Sequence, residues 1–219
     1  MTKALSRRAL LTGAAETATA AALGTTRGVT AQGPDTTTSP GPPSSELGQR
    51  SPHVQLRRGR TPRGTSSRTP LQDLHGTLTP ADLHFERHHA GIPDVDPDSY
   101  QLLIHGMVDH PIVFTLDDLK RFPAVSRVFF LECSGNFMGR NAGPETTPQD
   151  ICGMTSQSEW TGVALGTLLR EVGSDQTATW LLAEGQDAAI MTRSIPIYKA
   201  WDDAIVAYAQ NGEPLRPEQ

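Results

Sequence analysis

Hydrophobic side chains are sparse over the first 70 positions and become patterned only from Leu71 onward. Tyr100-Gln-Leu-Leu-Ile-His-Gly106 reads as a short buried strand closed by a glycine turn. Thr115, with Asp118 three residues on, is a helix start, which predicts a short helix over 116–122 that Pro123 stops. Val128-Phe-Phe-Leu-Glu132 is β-branched and aromatic, hence a buried strand, and it runs straight into Cys133-Ser-Gly-Asn136. Leu165, Leu168, Leu169 and Val172 fall on one face of a helix over 164–172, with Gly173 as its stop. A strand over 179–183 is broken by Glu184-Gly185, and a last one over 205–208 leads into the turn dipeptide Asn211-Gly212.

That turn demands a returning strand. Only Glu-Pro-Leu-Arg-Pro-Glu-Gln219 follows, and two prolines in seven residues are poor donors for a central strand. The domain is therefore expected to be cut in its middle. Strands and short helices mix without βαβ regularity, so the expected class is α+β with a mixed sheet over 71–219. Residues 32–70 are rich in Pro, Gly, Ser, Thr and Arg, and are expected to form a disordered linker that buries too little surface to offset its chain entropy. Residues 1–31 read as a targeting segment: Ser6-Arg7-Arg8-Ala9-Leu10-Leu11 is a twin-arginine pattern, Ala14 to Leu23 is alanine-rich, and Val29-Thr30-Ala31 suits cleavage. Export by that route places the mature chain in the periplasm, and it accepts proteins folded around a cofactor.

Charge changes this picture in one respect. The net charge of −5 conceals ten basic against three acidic side chains in residues 1–70, so the rest of the chain is strongly acidic. Such a domain is a poor nucleic-acid binder, since phosphate contacts need clustered Lys and Arg. No apolar stretch reaches the ~18 residues a membrane span requires.

Candidate chemistry centres on two cysteines, Cys133 and Cys152. They could close a disulfide in an oxidising compartment. Alternatively Cys133, at a strand end before a small, turn-prone Ser-Gly-Asn, is a thiolate ligand or nucleophile, with Gly135 admitting backbone close to a bound group. Cys152 stands in a loop and reads as a bystander. Glu86-Arg-His-His89 is either a charged surface loop or part of a site; adjacent histidines without a second ligand pair are weak zinc evidence. Asp94, Asp96 and Asp98 lack the Gly and Glu of a calcium loop and read as solvated.

Taken in order, Phe85-Glu-Arg-His-His-Ala-Gly-Ile-Pro93, Leu131-Glu-Cys-Ser-Gly-Asn136, Trp160-Thr-Gly-Val-Ala-Leu165, Glu184-Gly-Gln-Asp187, Ser194-Ile-Pro196 and Ala207-Tyr-Ala-Gln-Asn-Gly212 resemble the sulfite oxidase family of molybdenum enzymes. Leu74-His-Gly-Thr-Leu-Thr-Pro80 and Ser158-Glu-Trp-Thr-Gly162 are similar to its sulfane dehydrogenase branch. The resemblance implies a molybdopterin cofactor that carries the redox chemistry. It makes Cys133 the metal ligand, Arg87 the anion-binding arginine and Tyr208 an active-site hydroxyl. It places His88, His89, Ser134 and Asp187, with Arg87 and Cys133, against the cofactor. It further implies oxidation of inorganic or carrier-bound sulfur, sulfane or sulfite. Phe137-Met-Gly-Arg140 stands where many sulfite oxidases carry an arginine pair, which favours the sulfane branch. With no Cys-x-x-Cys-His motif in the chain, electrons are expected to leave to a c-type cytochrome. The interior-tyrosine reading of Tyr208 and a non-catalytic fragment with a Cys133–Cys152 disulfide remain the alternatives.

Overall fold

A computed structural model describes residues 40–61, 64–137 and 143–219. The twin-arginine segment and Met138 to Arg140 lie outside the described residues. Two units separate at Arg50. In the first, residues 40–50 are exposed and run without regular structure.

In the second unit, β1 (Gly59–Arg60), β2 (Ser66–Arg68) and β3 (Glu86–Arg87) form a three-stranded antiparallel sheet. A hairpin follows, β4 (Gln101–Ile104) with β5 (Ile112–Thr115), then helix α1 (Leu116–Arg121). Next come the long strand β6 (Ala124–Glu132), the short helix α2 (Pro148–Cys152), strand β7 (Thr155–Ala164) and helix α3 (Leu165–Glu171). Strands β8 (Trp180–Glu184) and β9 (Thr192–Pro196) pair with each other, and α4 (Ile197–Asp202) leads to β10 (Ile205–Gln210) and β11 (Glu213–Pro214).

The expected helices form for the expected reasons. Thr115 Oγ1 accepts from the Asp118 N–H at 3.1 Å while Asp118 returns a carboxylate to the Thr115 N–H, a reciprocal cap at the start of α1. Helix α3 puts Leu165, Leu168 and Leu169 inside, and the chain leaves it through Gly173 at φ +64°. Val163, Leu168, Val172, Leu119 and Phe114 make one buried cluster; Leu165, Leu169 and Ala200 make a second beside it.

Strand β7 is the centre of the main sheet, ordered β11-β10-β7-β6. Sequence patterning misses it because Thr-Ser-Gln-Ser-Glu-Trp-Thr-Gly is mostly polar, yet Ser156, Ser158 and Trp160 are buried. The α+β class stands, but every described strand pair is antiparallel rather than mixed.

Four other expectations are corrected. Residues 59–61 and 64–70 are not a structureless linker: they carry β1 and β2, and Ser67, Thr69 and Pro70 are buried, Thr69 with its hydroxyl paired to Ser156, which an argument from large apolar side chains overlooks. The expected buried strand over 128–132 is the end of β6, and being covered on one face only it leaves Val128 and Phe130 exposed, with Leu131 on the other face exposed at the strand's end; Leu103 of β4 lies on an exposed face in the same way. Cys152 closes α2, which Thr147 and Asp150 cap, and does not stand in a loop. The Asn211-Gly212 turn does return, as the two-residue β11 with Gln210 opposite Glu213, while the other edge of β10 pairs with β7.

Gly162 shows how tightly β10 seats on β7. A Cβ there would run into the backbone carbonyl of Val206. Gly162→Ala is expected to lower stability by about 1–3 kcal/mol, as overpacking does, read as a lower melting temperature. Gly48→Ala, with open space around it, should leave melting unchanged.

Candidate active site

The first two residues of β7 and Met154 before them form the frame of the site. Cys133 follows β6 directly, and its N–H donates to Met154 O at 2.9 Å. Its Sγ, half-buried, accepts the Gly135 N–H at 3.4 Å, a contact suited to a thiolate. A Cβ on Gly135 would sit 3.0 Å from Met154 Cε, which would have to give way, and at an ordinary contact distance of 3.5 Å from Cys133 Sγ. Ser134 is exposed on the same turn. Both cysteines are free thiols, so the structure carries no Cys133–Cys152 disulfide.

Asn136 staples this turn. It is 6% exposed, and its Nδ2 lies 2.9–3.3 Å from Glu132 Oε1, Cys152 O, Met154 O and Thr155 Oγ1. Its Oδ1 accepts from the Met154 N–H at 3.0 Å. Phe137 follows at φ +59°, in the left-handed region.

The second segment reaches the same frame from the other direction. Ser156 Oγ accepts the Phe85 N–H at 3.1 Å and pairs with Thr69 Oγ1 at 2.5 Å. Glu86 and Arg87 lie on β3, not in a surface loop, and the His88 N–H donates to Thr65 O at 2.8 Å. The Arg87 side chain is exposed and gives one N–H to His88 O at 2.6 Å. His89 is exposed; His88 is largely buried, with Nε2 3.5 Å from Glu86 Oε2. His84 just before them is buried, stacked on Phe85 and edge-on to Trp160. Burial holds its imidazole below the usual histidine range, with its Nδ1 bonded to Phe85 O.

Residues 154–156 thus bond both the Cys133 turn, through Cys133 and Asn136, and the Phe85 N–H that precedes Arg87 and His88. They do not tie in the other three candidates, His89, Asp187 and Tyr208. Asp187 makes its contacts within its own turn, to the N–H groups of Ala189 and Ile190. Tyr208 sits at a register shift in β10 and packs on the Phe114–Leu119–Val163 cluster, the interior position weighed for it from sequence. Sequence reasoning missed Arg58, Glu86, Ser156 and the structural role of Asn136. Asn136 and Glu86 stood inside motifs that carried the resemblance, though without a role; Arg58 and Ser156 are polar residues in polar stretches. Asp94, Asp96 and Asp98 are exposed, as expected. Among the described residues no cluster of three or more His, Cys, Asp or Glu could hold a bare metal ion. One partly exposed cysteine sulfur suits instead a metal whose remaining ligands come from an organic cofactor.

The comparisons agree with this class of site. The model of the oxidoreductase molybdopterin-binding domain matches residues 89–219, and the chain belongs to that family. Its relatives include nitrate reductase 2 (NADH) of Phaseolus vulgaris, 34% identical over 70% of this chain and 19% of that enzyme. Mitochondrial sulfite oxidase of Homo sapiens is 29% identical over 63% of this chain and 28% of its own length. The crystal structure of the sulfane dehydrogenase SoxCD from Paracoccus pantotrophus superposes with a TM-score of 0.70 at 35% identity, over 85% of this chain and 52% of that one. The chain is therefore a molybdopterin oxidoreductase domain of the sulfite oxidase type, spanning about half of the solved chain and less than a third of these two curated relatives.

Asn136→Ala should cost about 1–3 kcal/mol, because it leaves the Met154 N–H unpaired and removes the donor shared by Glu132, Cys152 O and Thr155. Asn136→Asp should cost more, since it turns an acceptor toward the same oxygens. Denaturant unfolding measures both, and an unchanged midpoint would show that the turn holds without its staple.

Proposed function

We propose that this domain oxidises inorganic or carrier-bound sulfur, sulfane or sulfite, in the periplasm after twin-arginine export, and passes electrons to a c-type cytochrome. The observation that carries the reading is the half-exposed Cys133 Sγ, which accepts the Gly135 N–H on a turn whose backbone is fixed to Met154. The likeness to sulfane dehydrogenase supports the choice of sulfur. When bound, molybdopterin supplies a metal that exchanges two electrons with the substrate sulfur.

Cys133 supplies the protein's thiolate to that metal. A soft sulfur donor at a backbone-fixed strand end suits it. Arg87, exposed and permanently charged, holds the anionic substrate by a forked pair of N–H groups. His88, His89, Ser134 and Asp187 contact the cofactor, and Tyr208 offers its hydroxyl from β10. Each two-electron oxidation adds one oxygen atom from water to sulfur and releases two protons, so sulfite would leave as sulfate. Nitrate reduction is the second reading, favoured by the likeness to nitrate reductases. Sulfite- or thiosulfate-dependent cytochrome reduction, assayed beside nitrate-dependent oxidation of a reduced dye, separates the two.

Cys133→Ser should abolish turnover and leave the melting temperature nearly unchanged, because serine is almost isosteric but a hard, poorly ionised ligand. Cys152→Ser should leave both turnover and melting temperature nearly unchanged. Wild-type turnover in Cys133→Ser would sink the ligand assignment.

Arg87→Gln should raise the Michaelis constant for an anionic sulfur substrate by about one to two decades, the equivalent of losing a charge-assisted contact worth roughly 1.5–3 kcal/mol. Molybdenum content should fall much less. Unchanged affinity for the anion would make Arg87 structural.

A further inference from the structure

Behind the Arg87-His88 pair lies a charged cluster that the reading above leaves unused. Arg58, just before β1, ion-pairs through Nη1 with Glu86 Oε1, lies 3.6 Å from Glu218 Oε1 and donates to His84 O. The side chains of Glu86, Glu218 and His88 are 13%, 16% and 12% exposed, so water screens this cluster poorly. Glu86 Oε2 faces His88 Nε2 at 3.5 Å, and that nitrogen is buried with no hydrogen-bond partner among the described residues. A movement of a few tenths of an ångström would close the bond.

A histidine ring has a broad, nearly two-fold torsion about its Cβ–Cγ bond. With nothing to choose between its two faces, it can flip and exchange nitrogen for carbon at a binding position. A carboxylate on one nitrogen removes that freedom and fixes which nitrogen bears the proton. Glu86 is itself prevented from turning away by Arg58 and by its place on β3, opposite Ser67.

We propose that Glu86, clamped by Arg58, is the positioning residue of His88: it keeps the proton on Nε2 and leaves Nδ1 as the ring atom that meets the cofactor. The proposal rests on reading His88 as a cofactor contact. It also gives residues 58–68 a function, since Arg58 and Thr65 both act on the His88 segment.

The test uses the full chain loaded with cofactor, carrying Glu86→Met, Glu86→Gln or His88→Ala. Molybdenum and pterin per chain are measured after dialysis, the His88 tautomer by carbon-13 shifts of labelled histidine, and folding by melting temperature. Glu86→Met should weaken cofactor retention about ten- to a hundredfold, as loss of an orienting partner does, and mix the His88 tautomers. Glu86→Gln should retain an intermediate amount, because its carbonyl can still accept from Nε2–H. Melting should change little in either, since Arg58 keeps Glu218 as a partner. If His88→Ala keeps its pterin, the cofactor reading of His88 fails and takes the proposal with it. If His88→Ala sheds pterin while Glu86→Met holds it with one tautomer, the positioning role alone is overturned. Loss of pterin in Glu86→Met only in step with a collapsed melting transition overturns it as well, by making Glu86 a folding residue.

Discussion

Buried polar side chains must find partners, and in this domain that requirement organises the site. Met154, Thr155 and Ser156 lie where β7 begins, and through them pass the bonds that hold Cys133 and Asn136 on one side and Phe85 on the other. Leaving any of these groups unpaired would cost about 1–3 kcal/mol, a large share of a domain's net stability. The two segments are thus fixed to each other by satisfying the same short stretch of strand. An apolar strand in its place could bury as much surface but would supply no side-chain acceptor for the Phe85 N–H.

The core elsewhere is small and split. Two adjacent clusters under α3 hold the fold, while Val128 and Phe130 on β6, and Trp180 and Leu182 on β8, stay exposed.

What the sequence revealed follows from what one-dimensional patterns encode. Helices α1 and α3 were legible because capping and a 3.6-residue period are local. The Cys133 turn was legible from its small residues at a strand end. Strand β7 was not, because Ser156, Ser158 and Trp160 owe their burial to partners such as Thr69 and Gln210, distant in the chain. The segment over 59–70 failed for the same reason. Composition measures how much apolar surface a stretch brings, whereas this one is held by strand pairing, by Thr69 on Ser156 and by Arg58 on Glu86. The exposure of Phe130 was invisible too, since propensity predicts a strand but not how many of its faces are covered.

Recognising β1 and β2 as structure changes the meaning of the charge asymmetry. The basic excess before residue 71 looked like the property of a solvated linker beside an acidic domain. Instead the small sheet places Arg60, Arg68 and Arg87 on β1, β2 and β3, with Gly59 opposite Arg68 and Ser66 opposite Arg87. Arg58 stands next to them but faces two carboxylates, so its charge is largely spent within the protein. By the register of this sheet Arg68 and Arg87 share one face and Arg60 lies on the other, so for the anionic substrate proposed here Arg68 is the arginine that would add positive charge around Arg87, on a chain that is negative as a whole. Such a local field raises encounter rates and is weakened by salt, whereas the net charge acts mainly on solubility and non-specific association. Because β3 is held by β2, the segment that supplies this charge also fixes the backbone from which Arg87 projects.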